Sequence, residues 1–393
     1  AVGNTSLTPL LAAVAATPDD VDALYAAGYQ AYEEGLYDVA AALLLRANQR
    51  SPGNVGIVCE AAGALEQLLR YREAADVLAA SGLVATDPFC AYLHGFSCLM
   101  CGERDAARDA LKALATVDDP QLVDLRHRLE AMLARADLLA AAGQLSSTSL
   151  TAWHLALNGT LLLHESPHGH SEPMHGRYAF VQDSAALMHH GIERLAFALD
   201  EQIPPHIVHA PDRASRILGL AIAQRFNRPL MPWSTSLGSP QDCLVVVWSL
   251  EHVDDPGFLR ALSRHAPGQV LFAHASSWTA PNAWAPDVTT LLYQSITNPW
   301  TGGALQLTST KHDTSAALPA PIDIRADDVL ASEITAVGAM GAVDDSVSGI
   351  GDVIAIRDVV KPLRGFTAAG LFRDGGGRSM QRIGSVVPSA RFT

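Results

Sequence analysis

The chain has 393 residues, 49% of them hydrophobic, and a formal net charge of −14. That length exceeds one ordinary core and predicts two domains, and the apolar content excludes global disorder. The negative field repels phosphate backbones and no run of Lys or Arg offsets it, which argues against nucleic acid as a partner.

Residues 1–19 are read as an N-terminal segment. They lack the basic start and long apolar core of a signal peptide, and nowhere does the sequence run apolar for the roughly eighteen residues a membrane span needs. The five cysteines (Cys59, Cys90, Cys98, Cys101, Cys243) make no disulfide framework for a chain this long. Cys98 and Cys101 form a C-x-x-C inside a predicted helix with no second pair, which favours packing over redox or metal chemistry. The cytoplasm is the expected location.

Internal repetition dominates residues 20–145. Segments 24–52, 58–86 and 91–115 align, with small residues Gly28, Ala62 and Gly95 recurring about every 34 residues and Ala40, Ala74 and Ala107 following in step. Two antiparallel helices approach closely only where a small residue sits at the crossing. A turn residue such as Gly35 or Gly102 breaks the helix between them. A single hairpin cannot bury its apolar face, so hairpins stack. Residues 121–143 then read as a closing amphipathic helix through Leu122, Leu125, Leu129, Met132 and Leu133. This pattern resembles the tetratricopeptide-repeat family, matched by Gly28, Gly35, Tyr37, Ala40, Ala47 and Pro52. Later repeats depart from it, with Leu69 at the turn-glycine place and Arg104 at the tyrosine place. The resemblance implies a surface for a peptide or protein; the other reading is a purely structural stack.

Near Ser146–Ser149 the composition shifts to Ser and Thr, which marks a linker, and residues 150–365 read as a second domain. Leu155–Leu157 and Thr160–Leu162 flank Asn158-Gly159, which predicts an N-terminal β-hairpin. A strand at Tyr178–Val181 and a helix capped by Asp183 or Ser184 follow. Next come a strand at His206–Ala210, a helix at Ala214–Phe226, strands at Pro229–Trp233 and Leu244–Ser249, a helix at Pro256–His265 and a strand at Val270–Ala275. Continuous apolar strands alternating with helices predict a buried, mainly parallel sheet. The expected fold is therefore a helical-hairpin solenoid followed by an α/β domain, with residues 366–393, including Gly375-Gly376-Gly377, as a flexible C-terminal tail.

Over residues 183–276 this order resembles the type I phosphoribosyltransferase fold, through His209-Ala210-Pro211-Asp212, Ala221-Ile222-Ala223 and Arg228-Pro229-Leu230. The resemblance implies that the strand ending at Ser249 should run into two acidic residues and a Thr/Gly-rich phosphate loop. Here it reads Ser249-Leu250-Glu251-His252-Val253-Asp254-Asp255-Pro256-Gly257, and Pro256 removes an amide donor. That departure points to a degenerate, non-catalytic domain, a pseudoenzyme.

Two constellations suit chemistry. Asp212, Arg213, Ser215 and Arg216 open a helix beyond a strand end, where arginines would hold an anion. Ser249, Glu251 and His252 end the neighbouring strand, with His252 as a general-base candidate and Glu251 beside it. The alternative for the arginines is that Asp212 only caps the helix and they are solvated. His168, His170 and His175 lie in a Gly/Pro-containing loop and would suit Zn²⁺; a plain connection is the other reading. Mg²⁺ would enter only alongside a phosphoribosyl substrate, and no cofactor is assigned. The expected function is that of a peptide- or protein-binding accessory protein. Its rival is an enzyme, a transferase acting on an anionic small molecule in the α/β crevice.

Overall fold

The computed structural model describes residues 6–146, 148–167, 174–200, 202–280, 284–302, 305–306, 318–337, 350–360, 378 and 387. The chain divides into two compact units that part between Asp137 and Leu138.

The first unit is helical: α1 (Leu7–Ala16), α2 (Val21–Glu33), α3 (Tyr37–Arg50), α4 (Val55–Gln67), α5 (Tyr71–Ala80), α6 (Pro88–Met100), α7 (Arg104–Ala113) and α8 (Pro120–Ala141), the last running into the second unit. The pairs α2/α3, α4/α5 and α6/α7 are the three hairpins expected from the repeat. Each first helix starts on a polar cap: Asp20, Asn54 and Asp87 accept from the backbone N–H three residues on. The small residues sit where the spacing put them. A Cβ on Gly28 would lie 2.7 Å from Leu44 Cγ, and one on Gly95 2.7 Å from Ala110 Cβ. Gly35 and Gly102 turn the outer hairpins at φ of 73° and 83°, and Leu69 holds the same left-handed geometry at 59° in the middle one. Residues 1–19, expected as a bare segment, contain α1, whose Leu7 is buried.

The second unit begins with α9 (Leu150–Asn158) and continues through β1 (Leu161–Leu162), β2 (Tyr178–Gln182), α10 (Ala185–Leu199), β3 (His206–His209), α11 (Arg213–Phe226), β4 (Leu230–Pro232), β5 (Cys243–Ser249) and α12 (Pro256–Ala261). Then come β6 (Val270–Ser277), β7 (Val288–Thr297), β8 (Leu305–Gln306), β9 (Leu318–Pro319), α13 (Asp327–Ala336) and α14 (Ile350–Val360). Seven strands form one sheet in the order β1-β7-β6-β5-β3-β4, with β2 also on β7, and every pairing is parallel. The apolar runs in β5 and β6 are buried throughout, as a sheet covered on both faces requires. Val245, Val247 and Leu271 pack on Phe258 and Leu262 on the α12 side; α10 and α11 cover the other.

The expected hairpin at Asn158-Gly159 is overturned. Leu155–Leu157 belong to α9, and Gly159 is its left-handed C-cap, with φ 65° and its N–H on Leu155 O. Both motifs need a residue at positive φ, so Asn-Gly alone does not separate them. The alternation that would mark a strand is missing: all nine residues of α9 are buried. β1 pairs in parallel with β7 instead.

The C-terminal segment expected to be flexible is buried at its two described positions, Arg378 and Val387. The guanidinium of Arg378 reaches Asp287 Oδ1 at 2.7 Å and Gln269 Oε1 at 3.0 Å. The rest of 366–393, Gly375–Gly377 included, lies outside the described residues. Among the described residues no helix is long and apolar enough to cross a membrane.

Candidate functional site

In the helical unit, α4 touches both α2 and α6, so the first helices of the hairpins form one continuous face. Repeat-equivalent positions on it differ in size. Where the first hairpin has Asp22, Tyr25 and Tyr29, the third has Phe89, Tyr92 and Phe96, and the second has Gly56, Cys59 and Gly63. The middle helix therefore presents a low stripe between two aromatic walls. Tyr25 Oη lies 3.8 Å from the Cβ position of Gly56, and the Tyr32 ring 3.7 Å from that of Gly63. Tyr25 and Tyr29 stack with centroids 6.2 Å apart. Phe89, Tyr92 and Phe96 form a second stack on α6, with the Arg128 guanidinium 5.3 Å over Phe96. Tyr29 on the first hairpin and Phe89 on the third are each 42% exposed, a large apolar display on one face.

Apart from Arg128 of α8 over Phe96, charge on this face has one sign. Among α2, α4 and α6 the ionised side chains are acidic, including Asp22, Glu33, Glu60 and Glu66. The Lys and Arg side chains of the hairpins sit on the second helices and the turns before them, where Arg46 and Arg50 meet Asp19, Arg104 and Arg108 meet Asp137, and Lys112 meets Asp109. Burial lifts the Glu66 carboxyl to about 7. Burial and then the neighbouring Glu33 also raise that of Glu60. Glu66 accepts from Ser97 Oγ at 3.3 Å; Glu60 has no hydrogen-bond or ion-pair partner among the described residues.

In the α/β unit the strand order reverses between β3 and β5, and ligands of open α/β sheets bind outside the carboxyl ends of strands at such a point. Both sequence-chosen clusters lie there. Asp212 caps α11 by accepting from Ser215 N–H at 2.8 Å. Its other oxygen is buried with no hydrogen-bond partner among the described residues. Ser215 Oγ accepts from Trp248 N–H at 2.8 Å and ties the helix start to the end of β5. The arginines are committed elsewhere. Arg213 bonds Asp327 at 2.8 Å and the carbonyls of Asp323 and Arg325, and Arg216 lies 3.5 Å from the same Asp327. Their charge anchors the start of α13.

Ser249, Glu251 and His252 do converge. Ser249 Oγ lies 2.8 Å from Glu251 Oε2, 3.2 Å from His252 Nδ1 and 2.8 Å from Tyr293 Oη. Glu251 Oε1 accepts from Ser277 N–H at 3.1 Å. Strand register explains the reach of Tyr293. Ser249 pairs with Ala275 and Ser277 with Tyr293, so the small residues of β6 leave room for the ring to cross toward β5. Ser249 and Tyr293 are buried while His252 is exposed. Burial, then the Glu251 charge, pushes the Tyr293 hydroxyl far above the usual tyrosine range. The four groups thus form a closed proton-sharing network with an exposed imidazole at its rim.

Asp255, part of the displaced acidic pair, caps α12 through Phe258 N–H. His175 stands at a left-handed φ of 43°, while His168 and His170 lie outside the described residues. Among the described residues no group of three His, Cys, Asp or Glu converges as a metal site.

No protein-family model and no curated protein matches the chain. A solved structure described as MamA MSR-1 C2 is similar at 20% identity, over 38% of this chain and 82% of that one, with a TM-score of 0.28. At that score the likeness carries no argument about function.

Sequence reasoning missed Tyr293, which lies in a strand it did not assign. It also missed the aromatic walls, although the repeat alignment already placed Tyr25 opposite Cys59 and Tyr29 opposite Gly63.

Proposed function

We propose that the chain is a peptide- or protein-binding protein of tetratricopeptide type, and that the face made by α2, α4 and α6 receives the partner. The observation that carries this reading is the pair of aromatic walls over a glycine stripe, with Tyr29 and Phe89 each 42% exposed. Rigid aromatic rings beside a recess are the anchors from which interface hot spots are built. The α/β unit acts in this reading as an accessory, non-catalytic domain. The test is a photo-crosslinking amino acid placed at Tyr29 of the intact chain, with a second variant carrying it at Val39 on α3. Protein crosslinks from position 29 that are absent from position 39 support the reading. Equal yields from both, or none from either, would sink it.

A second reading rests on the Ser249–Glu251–His252–Tyr293 network, in which the crevice handles a small polar molecule. A phosphoribosyl substrate is disfavoured, because Glu251 is engaged with Ser249 and Ser277 and the arginines with Asp327. Calorimetry with phosphoribosyl diphosphate and Mg²⁺ is expected to show no heat. Saturable binding lost in Glu251→Gln would restore the transferase.

A further inference from the structure

We infer that the partner segment seated on the α2/α4/α6 face is cationic, delivering a Lys or Arg side chain to the recess bounded by Tyr25, Tyr29, Tyr32 and Glu60. The inference rests on the binding reading above and gives it a chemistry.

Three independent features of the face converge on a cation. The first is shape. Gly56, Glu60 and Gly63 lie at i, i+4 and i+7 on α4, so they stack along one side of the helix. Tyr25 leans over the first glycine and Tyr32 over the second, at 3.8 Å and 3.7 Å from their Cβ positions. Glu60 sits between them along α4, beside the Tyr25 hydroxyl on one side and the Tyr32 ring on the other. The electron-rich face of a tyrosine attracts Lys and Arg, more strongly where water is excluded.

The second feature is the state of Glu60. It is half-buried, and it has no basic neighbour, hydrogen-bond partner or ion pair among the described residues. The nearest charge acting on it is another carboxylate, Glu33, and the two repel. A carboxylate taken partly out of water and left unpaired is unfavourable alone, and an arriving ammonium or guanidinium relieves it.

The third feature is segregation. Off this face the acidic side chains have local uses: Asp19 holds Arg46 and Arg50, Asp137 holds Arg104 and Arg108, and Asp20 and Asp87 cap helices. The basic side chains of the hairpins lie on the second helices and the turns before them, and Arg128 of α8 reaches the face at its far side, over Phe96. Around Tyr25, Tyr29 and Glu60 a partner thus meets acidic charge and aromatic carbon, which disfavours an acidic peptide and steers a basic one.

The test is selection of a displayed library of random twelve-residue peptides on the intact chain, followed by affinity measurement of the winners by fluorescence anisotropy. Enrichment in Lys or Arg is expected. The winners should bind about tenfold more weakly to Glu60→Gln and to Tyr29→Ala, and weaken as salt rises. Both positions are accessible, and the helical melting transition of each variant confirms that it folds. If the winners are neutral or acidic, or ignore Glu60→Gln, while still being lost in Gly63→Trp, the cation inference fails and the binding face stands. If enriched peptides bind Gly63→Trp as well as the parent chain, or none are enriched, both fail.

Discussion

Replacing Arg378 by Ala should unfold the α/β unit more easily by about 3 kcal/mol, the lower end of the range for breaking a buried ion pair. The side chains of Arg378 and Asp287 are both completely buried, 2.7 Å apart. Removing the arginine leaves a carboxylate inside the protein. Asp287 keeps the N–H of Leu271 at 2.8 Å, and His265 Nε2 stands 3.4 Å away. That remaining bond is why the lower end applies. For a unit of this size the loss corresponds to roughly 6–12 °C in Tm. The assay is clean because Trp153, Trp233, Trp248, Trp278, Trp284 and Trp300 all fall after Leu138. Tryptophan fluorescence during urea unfolding therefore reports this unit and not the helical one. A companion variant, Asp287→Asn with Arg378→Met, removes both charges while the asparagine still accepts from Leu271. It should be more stable than Arg378→Met alone. A loss below about 1 kcal/mol, or strictly additive effects in the pair, would show that Arg378 does not seat on Asp287 in solution.

In the helical unit, Gly95→Val drives a side chain into Ala110 and Leu129 and should cost about 1–3 kcal/mol. Far-UV ellipticity should record an earlier helical transition while the tryptophan transition stays in place. Leu69→Gly should do the reverse and stabilise the helical transition by up to about 1 kcal/mol, because leucine resists the left-handed φ of 59° that it holds; no change in melting would mean the leucine's packing matters as much as its strain. The two units should also answer pH in opposite directions. Glu66 is held near 7 instead of 4.5, so the folded state keeps its proton longer and helical stability falls as pH rises from about 4.5 to about 7. His154 is depressed to about 4 by burial, so the unfolded chain takes the proton first and α/β stability falls as pH drops from about 6.5 to about 4. Glu66→Gln should flatten the first slope and His154→Asn the second; slopes unchanged by these substitutions would contradict the assignment.

The helical unit was legible because its repeat carries the same physical requirement three times: a small residue at the crossing and a turn before the second helix. Gly28, Ala62 and Gly95 satisfy the first demand and sit in three successive hairpins. The parallel sheet was legible from β3 to β6, where apolar runs alternate with capped helices. Two places resisted. Asn158-Gly159 supplies a positive φ that a hairpin and a helix C-cap use equally well, and only the burial of α9 from all sides decides between them. β7 runs from Val288 to Thr297 with Val, Thr or Ile at both ends and Tyr293 within, a strand composition by itself. Prolines and tryptophans on either side made its stretch read as irregular. That omission hid Tyr293, the fourth group around Ser249 Oγ beside Glu251 and His252. The commitment of Arg213 to Asp327 was not legible either, since its partner lies 114 positions along the chain.

The same contrast favours the proposed binding face over the crevice. At the carboxyl ends of the strands, apart from the second oxygen of Asp212 and the exposed His252, groups that would greet a ligand are already answered within the chain: Arg213 by Asp327, Ser215 by Trp248, Glu251 by Ser249 and Ser277. A ligand there must displace contacts of equal chemistry, and the exchange gains little. On the first helices the reverse holds. Among the described residues Glu60 has no partner, and Tyr29 and Phe89 keep carbon in water. Gly63 lies in the interior of α4, where glycine costs about 1 kcal/mol relative to alanine. That cost falls beside the Tyr32 ring, on the stripe to which the proposed partner side chain is assigned.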